Sequence, residues 1–420
     1  MKILWIVNTL FPDLCIKLGV KPTVLGGWMY ESAKELSRIE NIDLTVVTTH
    51  QKEQIDSYDI NGIKYFLIPS NNNETYNKSL EQEWQKIFTE IKPDIIHIHG
   101  TEYSHGLPSM SVFPKEKFVI SIQGLVSVYA RYFLGGISVA EIKTNKTLRD
   151  YLKGDLLKGQ KQFESKGKLE NLYLTQTKNV IGRTSWDFAH TKILNPQVNY
   201  HFCNETLRGV FYTASKWNIQ NKKNHQIFLS QAATPIKGLH QVIKAVSLLK
   251  KEFPNIKIRV GGHDILKSTG SFSEKLKITD FGKYIKKLLH KYELQNNIQF
   301  LGLLSEEQMI EEYKQAHIFI CPSSIENSPN SLGEAQILGV PVISSYVGGT
   351  KDMVVHKETG FLYRFEEVEM MAIYIKEIFN NDQLAQKLSH NGIVAATERH
   401  SLKQNINNLH EIYKTINSNL

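Results

Sequence analysis

A chain of 420 residues is too long for one ordinary core, and with 41% hydrophobic and 10% aromatic side chains it can fill two, which excludes a disordered or fibrous protein. The net charge of +8 suits an anionic substrate or an anionic membrane surface; with no basic block interleaved with aromatics, nucleic acid is not the expected partner. Cys15, Cys203 and Cys321 are far apart and form no Cys-x-x-Cys pair, which points away from disulfides and structural zinc and towards a reducing compartment.

The chain opens on a short apolar run, Ile3–Val7, followed by Pro12 and Asp13. That is too short for a signal-peptide core and is read as a buried first strand. Further strand-like runs follow at Leu44–Thr48, Tyr65–Ile68, Ile95–Ile98, Phe118–Ile122 and Val180–Ile181, with amphipathic stretches at Trp28–Ile39 and Leu80–Ile91 between them. One long helix is expected over Leu148–Leu174. A polar stretch, Ser215–His225, separates the halves. The second half repeats the alternation, with strands expected at Ile227–Ser230, Ile256–Val260, Ile298–Leu301, Ile318–Cys321 and Val342–Ser345. Helices are expected at Gly238–Phe253, Lys275–Tyr292, Ser305–Ala316 and Leu332–Leu338. Short β-branched runs alternating with helices imply an α/β protein with two parallel sheets, each covered on both faces, whose ligands sit at the carboxyl ends of the strands. No run approaches the roughly 18 apolar residues of a membrane span.

The densest chemistry lies between Cys321 and Pro341, CPSSIENSPNSLGEAQILGVP, where a strand gives way to a loop and then to a helix opening near Ser331. Backbone N–H groups of Asn330 and Ser331 at that helix start would form a cradle for a diphosphate. Glu334 can accept paired hydrogen bonds from the hydroxyls of a ribose, and Glu326 can do the same for a sugar. Ser331-x-x-Glu334 is equally a capping box, which needs no ligand.

Glu326-x7-Glu334 followed by AQILGVPVISSYVGGTKDMV resembles the signature of the retaining glycosyltransferases of family 4, the glycosyl transferases group 1. The likeness extends to Met1–Asn8 with Gly26–Gly27, to Pro93–Gly100, to Pro235–Gly238, to Gly261–Gly262 and to Phe300–Met309. It implies the GT-B fold, two Rossmann-like domains facing a central cleft: an acceptor-binding domain over 1–212 and a nucleotide-sugar-binding domain over 222–395, with a C-terminal helix at 396–420 packing back on the first. It implies transfer of a sugar from an NDP-sugar to a glycan or lipid-linked glycan, with retention and with no metal or other cofactor. In that scheme Glu326 binds the donor sugar, Lys237 neutralises the leaving diphosphate, Glu334 holds the ribose, and Asn330 and Ser331 hold the phosphates. Gly26 and Gly27 let backbone approach the donor, and Leu303 flanks the base. Lys237 is otherwise a surface lysine at a helix start, and Gly26–Gly27 a plain turn.

Two positions depart from the family pattern. The histidine of its Thr-x-His-Gly segment is replaced by Gln123, which cannot act as a general base and is left as a candidate contact to acceptor or phosphate, and no arginine stands between Ser230 and Pro235. Arg183 is the first candidate for the missing cation and Arg208 the second; the alternative for both is an ion pair with a nearby acid, Asp187 or Glu205. His97 and His99 share a strand face, with no third metal ligand at recognisable spacing, and no Asp-x-Asp occurs in the chain, so no metal is expected. Residues 143–178 carry nine basic and four acidic side chains, a solvated helix face or a surface for anionic lipid heads at the inner side of a cytoplasmic membrane. The other function classes open to this sequence are another GT-B enzyme, a phosphorylase or nucleotide-sugar epimerase, and a non-catalytic relative that scaffolds a partner.

Overall fold

The computed structural model describes residues 1–22, 27–51, 55–70, 75–266 and 278–418. They form two compact units, one of Met1–Ser127, Glu164–Gly209 and His400–Leu420, the other of Val128–Phe163 and Val210–Arg399.

The first unit is built on eight strands: β1 (Lys2–Ile6), β2 (Asp43–His50), β3 (Asp56–Ile60), β4 (Ile63–Pro69), β5 (Ile95–His99), β6 (Phe118–Ser121), β7 (Asn179–Gly182) and β8 (Asn199–Phe202). Their order across the sheet is β3-β4-β2-β1-β5-β6-β7-β8, with every pairing parallel except β3 with β4. Without β3 this is the doubly wound order with one strand added, so the direction of winding reverses between β1 and β5. The central strands are buried on both faces, which is why they read as continuous apolar runs. The edge hairpin of β3 and β4 escapes that pattern, because DSYDI is partly exposed along its whole length. Its signal is the turn, Asn61 (φ 51°) and Gly62 (φ 80°), an Asn-Gly pair suited to a two-residue hairpin. The helix Leu80–Ile91 follows its apolar spacing, burying Leu80, Trp84, Ile87, Phe88 and Ile91 on one stripe. The C-terminal helix, Leu402–Ser418, inserts Leu409, Ile412, Tyr413 and Ile416 into the core with Trp5 and Leu36.

The second unit has six parallel strands, β9 (Gln226–Leu229), β10 (Lys257–Val260), β11 (Ile298–Phe300), β12 (Ile318–Cys321), β13 (Val342–Ser345) and β14 (Phe361–Tyr363). Their order, β11-β10-β9-β12-β13-β14, is the 3-2-1-4-5-6 arrangement of dinucleotide-binding sheets, with its switch point between β9 and β12.

Two expectations change. The helix expected over Leu148–Leu174 is two helices, Leu148–Lys153 and Leu156–Gln176, because Gly154 takes φ 101° and Asp280 accepts the Leu156 N–H at 2.8 Å. The boundary expected at 212 places all of the first half in one domain, whereas Val128–Phe163 groups with the second unit. Three contacts show why. His240 Nε2 lies 2.7 Å from Gly135 O, Thr147 Oγ1 donates to Ile278 O at 2.8 Å, and Ser324 Oγ donates to Tyr132 O at 3.0 Å.

Candidate functional site

In the second unit, the chain leaving β9 makes a short turn, Pro235–Lys237, before the helix Leu239–Leu249. The chain leaving β12 makes the loop 322–329 before the helix Asn330–Leu338. The two loops meet at the switch point. Lys237 Nζ donates to Glu326 Oε1 at 2.5 Å, and Ser323 Oγ donates to the same oxygen at 2.7 Å. Glu326 is buried and Lys237 partly so. Burial pulls the Lys237 ammonium down, but the Glu326 carboxylate outweighs it and holds the lysine above its ordinary value. The arrangement is a fixed cation and a fixed carboxylate at the place where a parallel sheet binds anionic ligands.

Glycines let the loops pack this closely. Gly238 sits at φ 70°, and a Cβ there would lie 1.8 Å from Pro322 O. Gly348, at φ 50°, would put a Cβ 1.9 Å from Glu326 O, and the neighbouring Gly349 N–H donates to that same carbonyl at 3.0 Å. Neither position tolerates a side chain without moving the loop that carries Glu326. Tyr129 braces it from another direction, its hydroxyl accepting the Asn327 N–H at 2.9 Å. Ser323, Tyr129 and the Gly348–Gly349 turn were not among the expected site residues. Ser323 lies inside the quoted motif, but nothing in the sequence ties Tyr129 to a loop 198 residues away.

The helix after the loop starts at Asn330, one residue earlier than Ser331, with Pro329 as its cap residue and no side-chain cap. Ser331 is therefore inside the helix, and the capping-box alternative for Ser331 and Glu334 falls. Leu332 and Gly333 turn their N–H groups back to Pro329 O, while those of Asn330 and Ser331 precede the first helical acceptor. Glu334 is buried on this helix, and Leu303, three residues past the end of β11, is 66% exposed.

The remaining expected residues lie in the first unit, or outside the described residues in the case of Gly26. Gly27 opens the helix Gly27–Ser37. Gln123 follows β6, partly buried, its Nε2 lying 3.7 Å from Met29 Sδ. Arg183 follows β7 and is buried. Its guanidinium forms an ion pair with Glu205 and donates to Ile122 O. Asp187, the acid named as its partner, instead accepts the backbone N–H groups of Arg183 and Thr184 and a bond from the Tyr200 hydroxyl. The capping box Thr184–Asp187 explains the difference, since the carboxylate is used at the helix start. Arg183 lines a cavity of about 30 Å³ with Trp28, His99 and Glu205, room for a water or two and not for a sugar.

His97 is a packing residue. Its Nδ1 lies 2.5 Å from the Tyr413 hydroxyl, which also accepts from Trp5 Nε1, and its Nε2 lies 2.6 Å from Ser121 Oγ. Burial lowers its pKa to about 3, so it stays neutral. Among the described residues, no three histidine, cysteine or carboxylate side chains converge as a metal-holding group.

Residues 213–394 match the family described as glycosyl transferases group 1. The likeness to that family runs through the second unit, from just before β9 to the helices that follow β14. The capsular polysaccharide glycosyltransferase CapM of Staphylococcus aureus is 29% identical over 157 residues, 37% of each chain. The curated relatives are thus matched over well under two thirds of their length. The fold extends over the whole molecule. The sucrose-phosphate synthase of Thermosynechococcus elongatus superposes over 100% of both chains, with a TM-score of 0.72 at 15% identity. The Anabaena protein HepE, solved in complex with UDP, covers 99% of this chain and 100% of its own with a TM-score of 0.64, also at 15% identity. The two sheets are those of the GT-B glycosyltransferases, and Lys237, Glu326 and Glu334 all lie within the group 1 segment. Among the described residues no helix is long and apolar enough to cross a membrane.

Proposed function

We propose that this chain is a retaining glycosyltransferase that moves a sugar from an NDP-sugar to a glycan or lipid-linked glycan acceptor in surface polysaccharide synthesis, without a metal. The observation that carries the reading is the Lys237–Glu326–Ser323 cluster at the β9/β12 switch point of the group 1 segment. As the glycosidic bond breaks, negative charge grows on the diphosphate, and a fixed ammonium is stabilising only if it is already aimed there. Lys237 is that ammonium. In the free protein it is held by Glu326; with donor bound, Glu326 turns its acceptor capacity to the hydroxyls of the sugar. Asn330 and Ser331 give their N–H groups to the phosphates, Glu334 holds the ribose and the exposed Leu303 covers one face of the base.

A thermal-shift series against UDP, GDP and related nucleotides tests the donor half, since a ligand that binds only the folded state raises its melting temperature. UDP is the first to try, because HepE was solved with it. Glu334→Ala should weaken the stabilising nucleotide by about 1–3 kcal/mol. Equal affinity in Glu334→Ala and wild type removes the ribose assignment. Transfer should survive EDTA and keep the donor's anomeric configuration; activity lost to EDTA and restored by manganese overturns the metal-free scheme.

A cytoplasmic protein with peripheral contact to anionic lipid fits the same reading. Tyr151 (73% exposed) and Leu152 (79% exposed) stand beside Arg149 and Lys153 on one short helix. Tyr151→Ser with Leu152→Ser should reduce sedimentation with vesicles containing phosphatidylglycerol severalfold, and unchanged sedimentation removes the contact.

A further inference from the structure

The first unit carries a carboxylate at its own switch point that no part of the scheme above uses. Glu102 stands three residues beyond the end of β5, where the winding of the eight-stranded sheet reverses and the doubly wound fold places ligands. Between strand and glutamate lies Gly100, at φ 84°. A Cβ on Gly100 would stand 2.3 Å from Glu102 Oε2 and 3.4 Å from Gln123 Cδ, so the bare Cα is what lets the carboxyl of the first and the amide of the second converge.

The neighbouring carboxylate shows what a structural glutamate looks like here. Glu170 is buried and accepts bonds from Thr101 Oγ1, Val126 N, Ser127 N and Ser127 Oγ. Glu102 Oε2 has no hydrogen-bond partner among the described residues although it is shielded from solvent. A buried acceptor left unpaired is destabilising, and such atoms in folded proteins call for a reason. The residue as a whole is only partly buried, so a ligand can reach it.

We propose that Glu102, with Gln123 beside it, binds the acceptor, its carboxylate taking a hydrogen bond from a sugar hydroxyl at the carboxyl end of β5. The assignment rests on the glycosyltransferase reading. Gln123 offers both a donor and an acceptor to the same ring, a function its amide performs without being a base. The groups facing Glu102 are Glu170 and Tyr173 from the helix Leu156–Gln176 and Arg183 after β7. His99 and His105 are kept neutral by burial. Burial raises the Glu102 carboxyl to about 7; its own backbone N–H and Arg183 pull it down, and the Glu170 charge pushes it up. A hydroxyl binds the ionised form, so acceptor affinity should rise as pH rises through about 7 and level off above it.

The test uses the full chain and four probes: the methyl α-glycosides of glucose, galactose, mannose and N-acetylglucosamine. Thermal shifts are read at about pH 6 and about pH 8, on either side of the carboxyl's titration. At least one glycoside should stabilise the wild type, more at the higher pH. Its Kd should weaken about tenfold in Glu102→Gln, the size of a lost bond to a charged group, while nucleotide stabilisation is unchanged. The assignment is overturned by equal glycoside affinity in the two proteins, by affinity that falls with rising pH, or by no response to any of the four. The pH comparison within the wild type stands even if Glu102→Gln folds poorly. A wild type that no nucleotide stabilises would remove the glycosyltransferase reading and this assignment with it. Nucleotide binding with any of the three adverse glycoside results removes Glu102 alone.

Discussion

The two sheets share a strand order and reverse their winding at equivalent points, yet the chemistry placed there differs. At the β9/β12 switch the charges are paired in advance: Lys237 and Ser323 share one oxygen of Glu326, and glycines press two loops against backbone carbonyls. At the β1/β5 switch the side chains are neutral or unpaired, with His99, Glu102 and His105 each holding shielded atoms that lack a partner among the described residues. The first arrangement suits a ligand whose charge is always the same, since an ion pair made in advance needs little reorganisation when a diphosphate arrives. The second suits a neutral ligand rich in hydroxyls, which gains its hold by satisfying groups the fold leaves open. Fold decides where a ligand sits, and the residues past the strand ends decide what it is.

The largest effect that would break this contrast is expected at Lys237. Removing one aimed donor from a site of developing charge costs about 3 kcal/mol or more, so Lys237→Ala should lower kcat by about a hundredfold. Lost transition-state charge stabilisation lowers kcat and kcat/KM together, which steady-state kinetics can separate from a simple loss of donor affinity. A folded Lys237→Ala protein with wild-type kcat would mean that the charged switch point holds the loops together and does not act on the leaving group.

The difference between the two regions also governs how much could be read from the sequence. The cluster at the β9/β12 switch was legible because its chemistry is contiguous: Glu326, Asn330, Ser331 and Glu334 fall within nine positions, and Lys237 sits beside a glycine that marks a helix start. Eleven of the fourteen described strands show as apolar runs; β3 and β8 were missed because DSYDI and NYHF are edge segments without a continuous apolar run, and β14 because FLY is an edge segment of three residues. The β1/β5 switch was illegible for a different reason. Glu102 becomes distinctive only when Gly100 and Gln123 are brought to it. The ion pair weighed for Arg183 as the alternative to a phosphate contact was with Asp187, close in sequence, whereas its partner is Glu205, 22 positions on from the arginine.

That pair gives the next test. Breaking a buried ion pair by removing one member leaves the other charge uncompensated, at a cost of about 3–5 kcal/mol. Arg183→Ala should therefore destabilise the chain by about 3 kcal/mol in denaturant unfolding, and adding Glu205→Gln should recover part of the loss. Transfer per folded molecule should change little, because the guanidinium is already committed to Glu205 and Ile122 O. A collapse in kcat with unaltered stability would return Arg183 to the diphosphate as the cation missing from 230–235, and would make the first unit's switch region charged after all.

The smallest expected effect is a difference in acid sensitivity between the units. Burial lowers His97 to about 3 and His105 to about 4, and His99 well below its ordinary value, all in the first unit. In the second, burial lowers His240 to about 4 and His317 to about 3. An unfolded histidine titrates near about 6.5, so below that pH the unfolded chain takes up protons that the folded one refuses. The stability from keeping these rings neutral is thus complete above about 6.5 and drains away as the pH falls towards the folded values. In the first unit, however, Glu102, raised to about 7, and Glu170, also raised by burial, take up protons in the folded state over the same range and offset part of that loss. Three rings there against two in the second should therefore leave the units about equally acid-sensitive. Tryptophan fluorescence reports chiefly on that unit, since Trp5, Trp28, Trp84 and Trp186 lie in it and Trp217 alone in the other. Between about pH 7 and about pH 5 the fluorescence-monitored melting temperature should drop by about as much as the one monitored by far-ultraviolet circular dichroism, which averages both units. A larger drop by fluorescence would mean that the histidines of the first unit go unopposed, so that Glu102 does not hold the raised carboxyl on which the pH dependence of glycoside binding rests.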